Sequence, residues 1–179
     1  MNYNLNWLLA QQNPLKYLFF WGHHPSRDGS ITKACLSQWW ECAFEVQGCV
    51  YLTTEHWMMA QKARLFGDSE IAEKIVQVKS PAEAKKLGRL IPHFDETVWL
   101  SEREHIVIEG NFHKFSQNKE LRAFLLQTQE RILVEASPVD AIWGNGLAAD
   151  HPDSTHPEKW QGFNLLGFAL MEVRDQLRT

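Results

Sequence analysis

Glu55, Met58 or Met59, Lys62 and Phe66 follow one another at separations of three, four and seven residues, which returns them to roughly one face of a helix. An acid and a cation therefore share a stripe with apolar side chains. Such neighbours can strip water from both charged groups and move their pKa values toward proton-transfer chemistry. The plainer alternative is a first-turn acid favoured by the helix dipole, with a surface lysine two turns on. Glu135 poses a second question, because it ends the apolar run Ile132-Leu133-Val134. Period-two alternation places it on the face of Leu133. A carboxylate there needs a partner, either a structural cation or the hydroxyls of a ligand.

Asp140 closes Ser137-Pro138-Val139-Asp140, which has the spacing of a helix capping box. The next residues, Ile142-Trp143-Gly144-Asn145-Gly146, set two glycines around Asn145 beside Trp143. That pattern suits close backbone approach to a ligand with an aromatic stacking face, and it equally suits a tight turn over a buried Trp. Gly162-Phe163-Asn164-Leu165-Leu166-Gly167 resembles a phosphate-cradling turn before a helix, with Asn164 either in the cradle or acting as an N-cap. His151 and His156 do not have metal-ligand spacing, so no metal is expected.

The elements that must carry these residues are mainly helical. Thr54 reads as an N-cap for a helix over 55–66 that stops at Gly67, and Asp68 can cap a second helix to about Val78. Ser80-Pro81-Ala82-Glu83 combines a capping box with Pro in the first turn. Residues 102–114 and 118–128 read as further helices, and 164–177 as a closing helix with Leu166, Ala169, Leu170, Val173 and Leu177 on one stripe. Strands are expected around the turn Gln47-Gly48 and over 131–136, with a loop-rich stretch at 138–163. Residues 1–18 form a lead-in, irregular or helical, to a domain over 19–179. The expected class is α+β, a mainly helical single domain with a few short strands.

Composition sets the bounds. The chain has 179 residues, 44% of them hydrophobic, with eight Trp and ten Phe, enough for one sizeable core. A formal charge of −4 argues against broad, sequence-independent attraction to nucleic acid. No apolar run approaches the roughly 18 residues of a membrane span, and the N-terminus lacks a secretory pattern, so a cytoplasmic protein is expected. Cys35, Cys42 and Cys49 lack paired zinc spacing and are odd in number, which favours free thiols.

The order of the motifs resembles the NADAR family, the YbiA-like proteins, from about Phe19 to Leu177. The resemblance is carried by Phe20-Trp21, Leu36-Ser37-Gln38-Trp39, Thr53-Thr54-Glu55-His56-Trp57-Met58-Met59-Ala60-Gln61-Lys62-Ala63, Phe66-Gly67-Asp68 and Lys79-Ser80-Pro81. It continues through Lys114-Phe115-Ser116-Gln117-Asn118, Val134-Glu135-Ala136-Ser137-Pro138, Trp143-Gly144 and Asn164-Leu165-Leu166-Gly167. It implies hydrolysis of the ribosyl C1–N bond of early riboflavin-pathway intermediates, giving ribose 5-phosphate and a free pyrimidine. An alternative within the family is removal of ADP-ribose from guanine, which would bring in a nucleic-acid partner; a non-catalytic ADP-ribose-binding module is a further alternative. Under the first reading the partner is a small ribosyl phosphate, and no cofactor is needed. Glu55 and Asp140 are then the catalytic candidates, and Trp39, Lys62, Glu135, Trp143 and Asn164 the substrate-binding ones. The sequence departs from the family pattern at Trp40-Glu41-Cys42 and in the extended loop after Asn145-Gly146, changes that bear on substrate choice.

Overall fold

The computed structural model describes residues 1–178. In chain order its regular elements are α1 (Leu5–Leu9), β1 (Tyr17–Phe20), β2 (Phe44–Val46), β3 (Cys49–Tyr51), α2 (Thr54–Leu65), α3 (Ser69–Gln77) and α4 (Pro81–Gly88). There follow α5 (Glu96–Gln117), α6 (Lys119–Gln127), β4 (Ile132–Glu135) and α7 (Leu165–Arg178). Single 3-10 turns occupy Lys33–Leu36 and Pro157–Lys159. The class is α+β and mainly helical, as expected. Two compact units can be described, one from residues 1–37 with 119–178 and one from Gln38–Asn118.

The first unit is built on α7, where eleven residues, Leu165–Arg174 and Leu177, are buried. β4 lies against this helix and pairs in parallel with β1, Leu18 opposite Leu133 and Phe20 opposite Glu135. β1 starts at Tyr17 and so runs across the lead-in boundary expected at residue 18. Its short run Tyr-Leu-Phe-Phe has no polar alternation, so only the pairing partner reveals it as a strand. Arg174 is buried on α7, and its guanidinium donates to Thr128 Oγ1 and the Arg131 carbonyl, holding the turn between α6 and β4.

In the second unit α2 is the hub, touching α3, α4 and α5. Its N-cap is Thr53, not Thr54: Thr53 is extended and its Oγ1 accepts from His56 N–H, whereas Thr54 Oγ1 donates to the Gln38 carbonyl. Two adjacent threonines are equal candidates locally, and backbone conformation selects between them. The C-terminus behaves as expected. Gly67 takes φ +75°, with Gly67 N–H on the Arg64 carbonyl and Asp68 N–H on the Ala63 carbonyl, a Schellman pair. The Ser80–Glu83 capping box forms in full. α5 is longer than the expected 102–114, because Asp95 caps it at Val98 N–H and starts it at Glu96. β2 and β3 form a hairpin through Gln47 and Gly48, both at positive φ as a type I′ turn requires. None of the three cysteines is in a disulfide, and Cys35 is fully buried.

Candidate functional site

In the Gln38–Asn118 unit, Glu55 occupies the first turn of α2 and is only 3% exposed. Its N–H donates to the Gln38 carbonyl at 3.1 Å, the same oxygen that receives Thr54 Oγ1, so the start of the helix is tied to residue 38. Glu55 is therefore not a solvated first-turn acid. Its carboxyl group belongs to the positive end of a helix whose Trp57, Met58 and Met59 are also buried.

His56 fixes this turn from the other side. Its ring lies between Thr53 Oγ1, 2.8 Å from Nδ1, and the Val78 carbonyl, 3.2 Å from Nε2. A carbonyl only accepts, so Nε2 carries the proton and Nδ1 accepts from the threonine hydroxyl. Burial pushes the His56 pKa down and keeps this neutral tautomer.

Lys62 is half-buried on α2. Its Nζ donates to the Gly88 carbonyl at the end of α4 and sits 4.4 Å from the Phe94 ring centroid and 5.6 Å from that of Trp99. Burial lowers its pKa, so apolar surroundings act on this cation as the stripe pattern suggests. Trp39 is half-buried and lies beneath Lys85 Nζ, 5.8 Å from its centroid.

α5 adds residues that sequence reasoning passed over. Lys114 and Asn111 are fully buried, a cation and an amide one turn apart. Their signal was present in the spacing: Val107, Gly110, Asn111, Lys114 and Phe115 are the buried residues of one helix face. A Cβ at Gly110 would lie 2.3 Å from Trp57 Cδ1, so glycine lets α5 accept the indole, whose Nε1 donates to the Ile106 carbonyl. Lys114 also acts on the half-buried Cys42 thiol, whose pKa burial raises and the ammonium opposes. A separate polar cavity of about 340 Å³ in this unit is bordered by Tyr51, Gln61, Arg64 and Glu109, and Arg64 Nη1 donates to Tyr51 Oη.

In the other unit, Glu135, Asp140, Trp143 and Asn164 are joined through backbone. The expected capping box at Ser137–Asp140 does not start a helix. Asp140 Oδ1 instead accepts from Ile142 N–H at 2.9 Å and Trp143 N–H at 2.8 Å, closing a turn that orients Trp143. The residues that follow leave this turn for the loop, and its backbone does not repeat the helical pattern.

Gly144 admits backbone rather than ligand. A Cβ there would lie 2.8 Å from both the Glu135 and Asp140 carbonyls. Asn145 N–H donates to the Glu135 carbonyl, and its own carbonyl accepts from Gln161 N–H, so the two ends of the loop meet at this residue. Trp143 is half-buried. Asn164, fully buried at φ +52°, directs its side chain to β4, where Oδ1 accepts from Glu135 N–H and Nδ2 donates to the Leu133 carbonyl. Both polar ends of the amide are used on the strand.

Among the described residues no cluster of three or more His, Cys, Asp or Glu is placed to hold a metal ion, and no helix is long and apolar enough to cross a membrane.

A family model described as the NADAR domain matches residues 19–178. N-glycosidase R617 of Acanthamoeba polyphaga mimivirus is 40% identical over 166 residues, 90% of this chain and 96% of that protein. N-glycosidase YbiA of Escherichia coli strain K12 is 37% identical over 133 residues, 74% of each chain. The NMR structure of the E. coli protein YbiA superposes with a TM-score of 0.71 at 31% identity, covering 94% of this chain and 89% of that one.

Proposed function

The chain belongs to the NADAR family, and from that premise we propose that it is an N-glycosidase that hydrolyses the ribosyl C1–N bond of ribosylamino-pyrimidine phosphates, releasing ribose 5-phosphate and the free pyrimidine. The observation that carries the reading is Glu55, a carboxylate 3% exposed in the first turn of α2, within a chain so similar to proteins named N-glycosidases.

Breaking the bond leaves positive charge on the ribose ring, and water must add its oxygen to C1 while the departing nitrogen gains a proton. A solvent-excluded carboxylate meets the first need, since its attraction for that charge grows where water is absent. Glu55 is assigned this role, as charge stabiliser or as base for the water. Asp140 is assigned as the second acid, orienting water or protonating the nitrogen through Oδ2, the oxygen its turn does not use. Trp39 and Trp143 offer faces to the planar base, Lys62 supplies a cation for the phosphate, and Glu135 holds ribose hydroxyls. Asn164 acts one step back, holding the Glu135 backbone in register.

The test is to incubate the purified protein with a ribosylamino-pyrimidine phosphate and follow ribose 5-phosphate, with Glu55→Gln beside it. Release that falls by about two or more orders of magnitude in the variant supports the assignment. Release from ADP-ribosylated guanine but not from the small phosphate would replace the substrate class.

A further inference from the structure

The family match begins at residue 19, yet the residues before it are built into the first unit. Asn2 N–H and Tyr3 N–H both donate to Glu172 Oε1 on α7, and Asn2 Nδ2 donates to Glu172 Oε2 at 3.0 Å. Tyr3 Oη donates to Asp175 Oδ2 one turn further along α7. Glu172 is 8% exposed, so its carboxylate is satisfied largely by this segment. α1 follows at once, capped by the Asn4 side chain on Trp7 N–H and anchored by Leu8, which is 2% exposed.

α1 lies against the 3-10 turn Pro157–Lys159. A second contact comes from Tyr17, whose ring meets that of Trp160 edge-on at 6.4 Å. The loop between Asn145 and Gln161 is thus touched from both ends of the lead-in. It is also stiff within itself: Lys159 Nζ pairs with Asp153 at 2.7 Å and Trp160 Nε1 donates to the Ser154 carbonyl.

The base of the loop has little slack. Gly146 stands so close to Gln161 that a Cβ would lie 2.8 Å from that residue's Cβ, and a Cβ on Gly162 would lie 2.4 Å from the Gly144 carbonyl oxygen. Phe163 N–H donates to the Ala141 carbonyl. A shift at 157–160 therefore passes through Gln161 and Gly162 to residues 141–145, because close-packed backbone transmits displacement.

We propose that residues 2–10 are a positioning element for the site: held on α7 by Glu172 and Asp175, they brace the 157–160 turn and thereby fix Trp143 for substrate binding and Asp140 for its role as the second acid. The consequence for catalysis rests on the function proposed above, whereas the mechanical link does not.

The experiment compares full-length wild type, Glu172→Ala, Glu172→Gln and Leu8→Ala by amide hydrogen exchange, alongside KM and kcat on the ribosylamino-pyrimidine phosphate. Glu172→Ala removes the acceptors of both backbone amides and of the Asn2 side chain, and leaves Tyr3 Oη on Asp175. Glu172→Gln keeps the oxygen that receives both backbone amides. Leu8→Ala loosens α1 without touching α7. The expected result is exchange at least fivefold faster over both 2–10 and 148–160 in the two Ala variants, with β4 unchanged and Glu172→Gln close to wild type. kcat/KM should fall at least several-fold in the two Ala variants, through KM as Trp143 loosens and through kcat as Asp140 does, and Glu172→Gln should restore it. Faster exchange confined to 2–10, or spread equally to β4, overturns the proposal. A wild type that does not turn over the substrate, with the exchange pattern as expected, overturns the proposed substrate and leaves the brace standing.

Discussion

The Asn164 side chain takes the place of a strand beside β4. β1 pairs with one edge of β4, where Ile132 N–H reaches the Lys16 carbonyl and Ala136 N–H the Phe20 carbonyl. Alternation turns the Leu133 and Glu135 backbone to the opposite edge. There the Asn164 amide meets the Leu133 carbonyl and Glu135 N–H, each at 2.9 Å, and Asn145 N–H meets the Glu135 carbonyl. The residue at the entrance to α7 thus completes the hydrogen bonding of the strand that bears Glu135.

Replacing Asn164 by Ala leaves two buried backbone groups without partners, at roughly 1–3 kcal/mol each, so unfolding in urea should show a loss of about 2–6 kcal/mol. Asn164→Asp is more diagnostic. Its carboxylate can accept from Glu135 N–H but turns a second acceptor toward the Leu133 carbonyl. Protonation restores a donor, so this variant should gain stability relative to wild type as pH falls, a trend that urea midpoints at pH 7.5 and 5 would reveal. A midpoint difference independent of pH would contradict the donor role.

Two glycines should respond differently to an added methyl group. At Gly167 a Cβ would lie 2.0 Å from the Leu133 carbonyl oxygen, which is backbone in a buried strand, so Gly167→Ala should cost about 3 kcal/mol or more. At Gly88 the obstacle is Met59 Sδ at 2.2 Å, a flexible thioether, and the gain in helix propensity of up to about 1 kcal/mol offsets part of the clash. Thermal and urea unfolding should rank Gly88→Ala as the milder change.

His56 predicts the direction of a pH effect. Burial holds its folded pKa below the ordinary 6.5, so between the two values the unfolded chain binds more protons than the folded one. The stability contributed by neutral His56 is therefore present above about pH 6.5 and is lost as pH falls through the folded pKa. His56→Gln, which can still donate to the Val78 carbonyl, should flatten this part of the curve. Urea midpoints at pH 7.5, 6.5 and 5.5 provide the check, and an unchanged slope would remove His56 as its source.

Lys62→Met separates phosphate binding from support of α4. If Lys62 receives the substrate phosphate, KM should rise about tenfold or more for the phosphorylated substrate and stay near wild type for its dephosphorylated counterpart. The lost bond to the Gly88 carbonyl should also lower stability by about 1 kcal/mol. Equal effects on both substrates would confine Lys62 to bracing α4.

Short-range chemistry accounts for what the sequence determined. The Ser80–Glu83 box, the Gly67 helix end, the Gln47-Gly48 turn and the buried stripe of α7 each depend on residues a few positions apart, so their signals survive without knowledge of the fold. The ordered motifs likewise made the family legible, and with it the set of acids and aromatics worth testing.

Tertiary structure decided what those residues do. Thr53 rather than Thr54 caps α2 because of its extended backbone, and Asp95 starts α5 earlier than its apolar pattern suggested. Glu55 and Lys62 could have been a solvated pair; instead Glu55 is buried, and the Gly88, Phe94 and Trp99 surroundings of Lys62 are set by α4, α5 and the segment between them. Asn164 read equally as phosphate ligand or helix cap, and only a strand 29 residues away in sequence showed where its amide goes. Burial and long-range hydrogen bonds depend on which distant segments arrive at a side chain, and that information does not reside in local spacing.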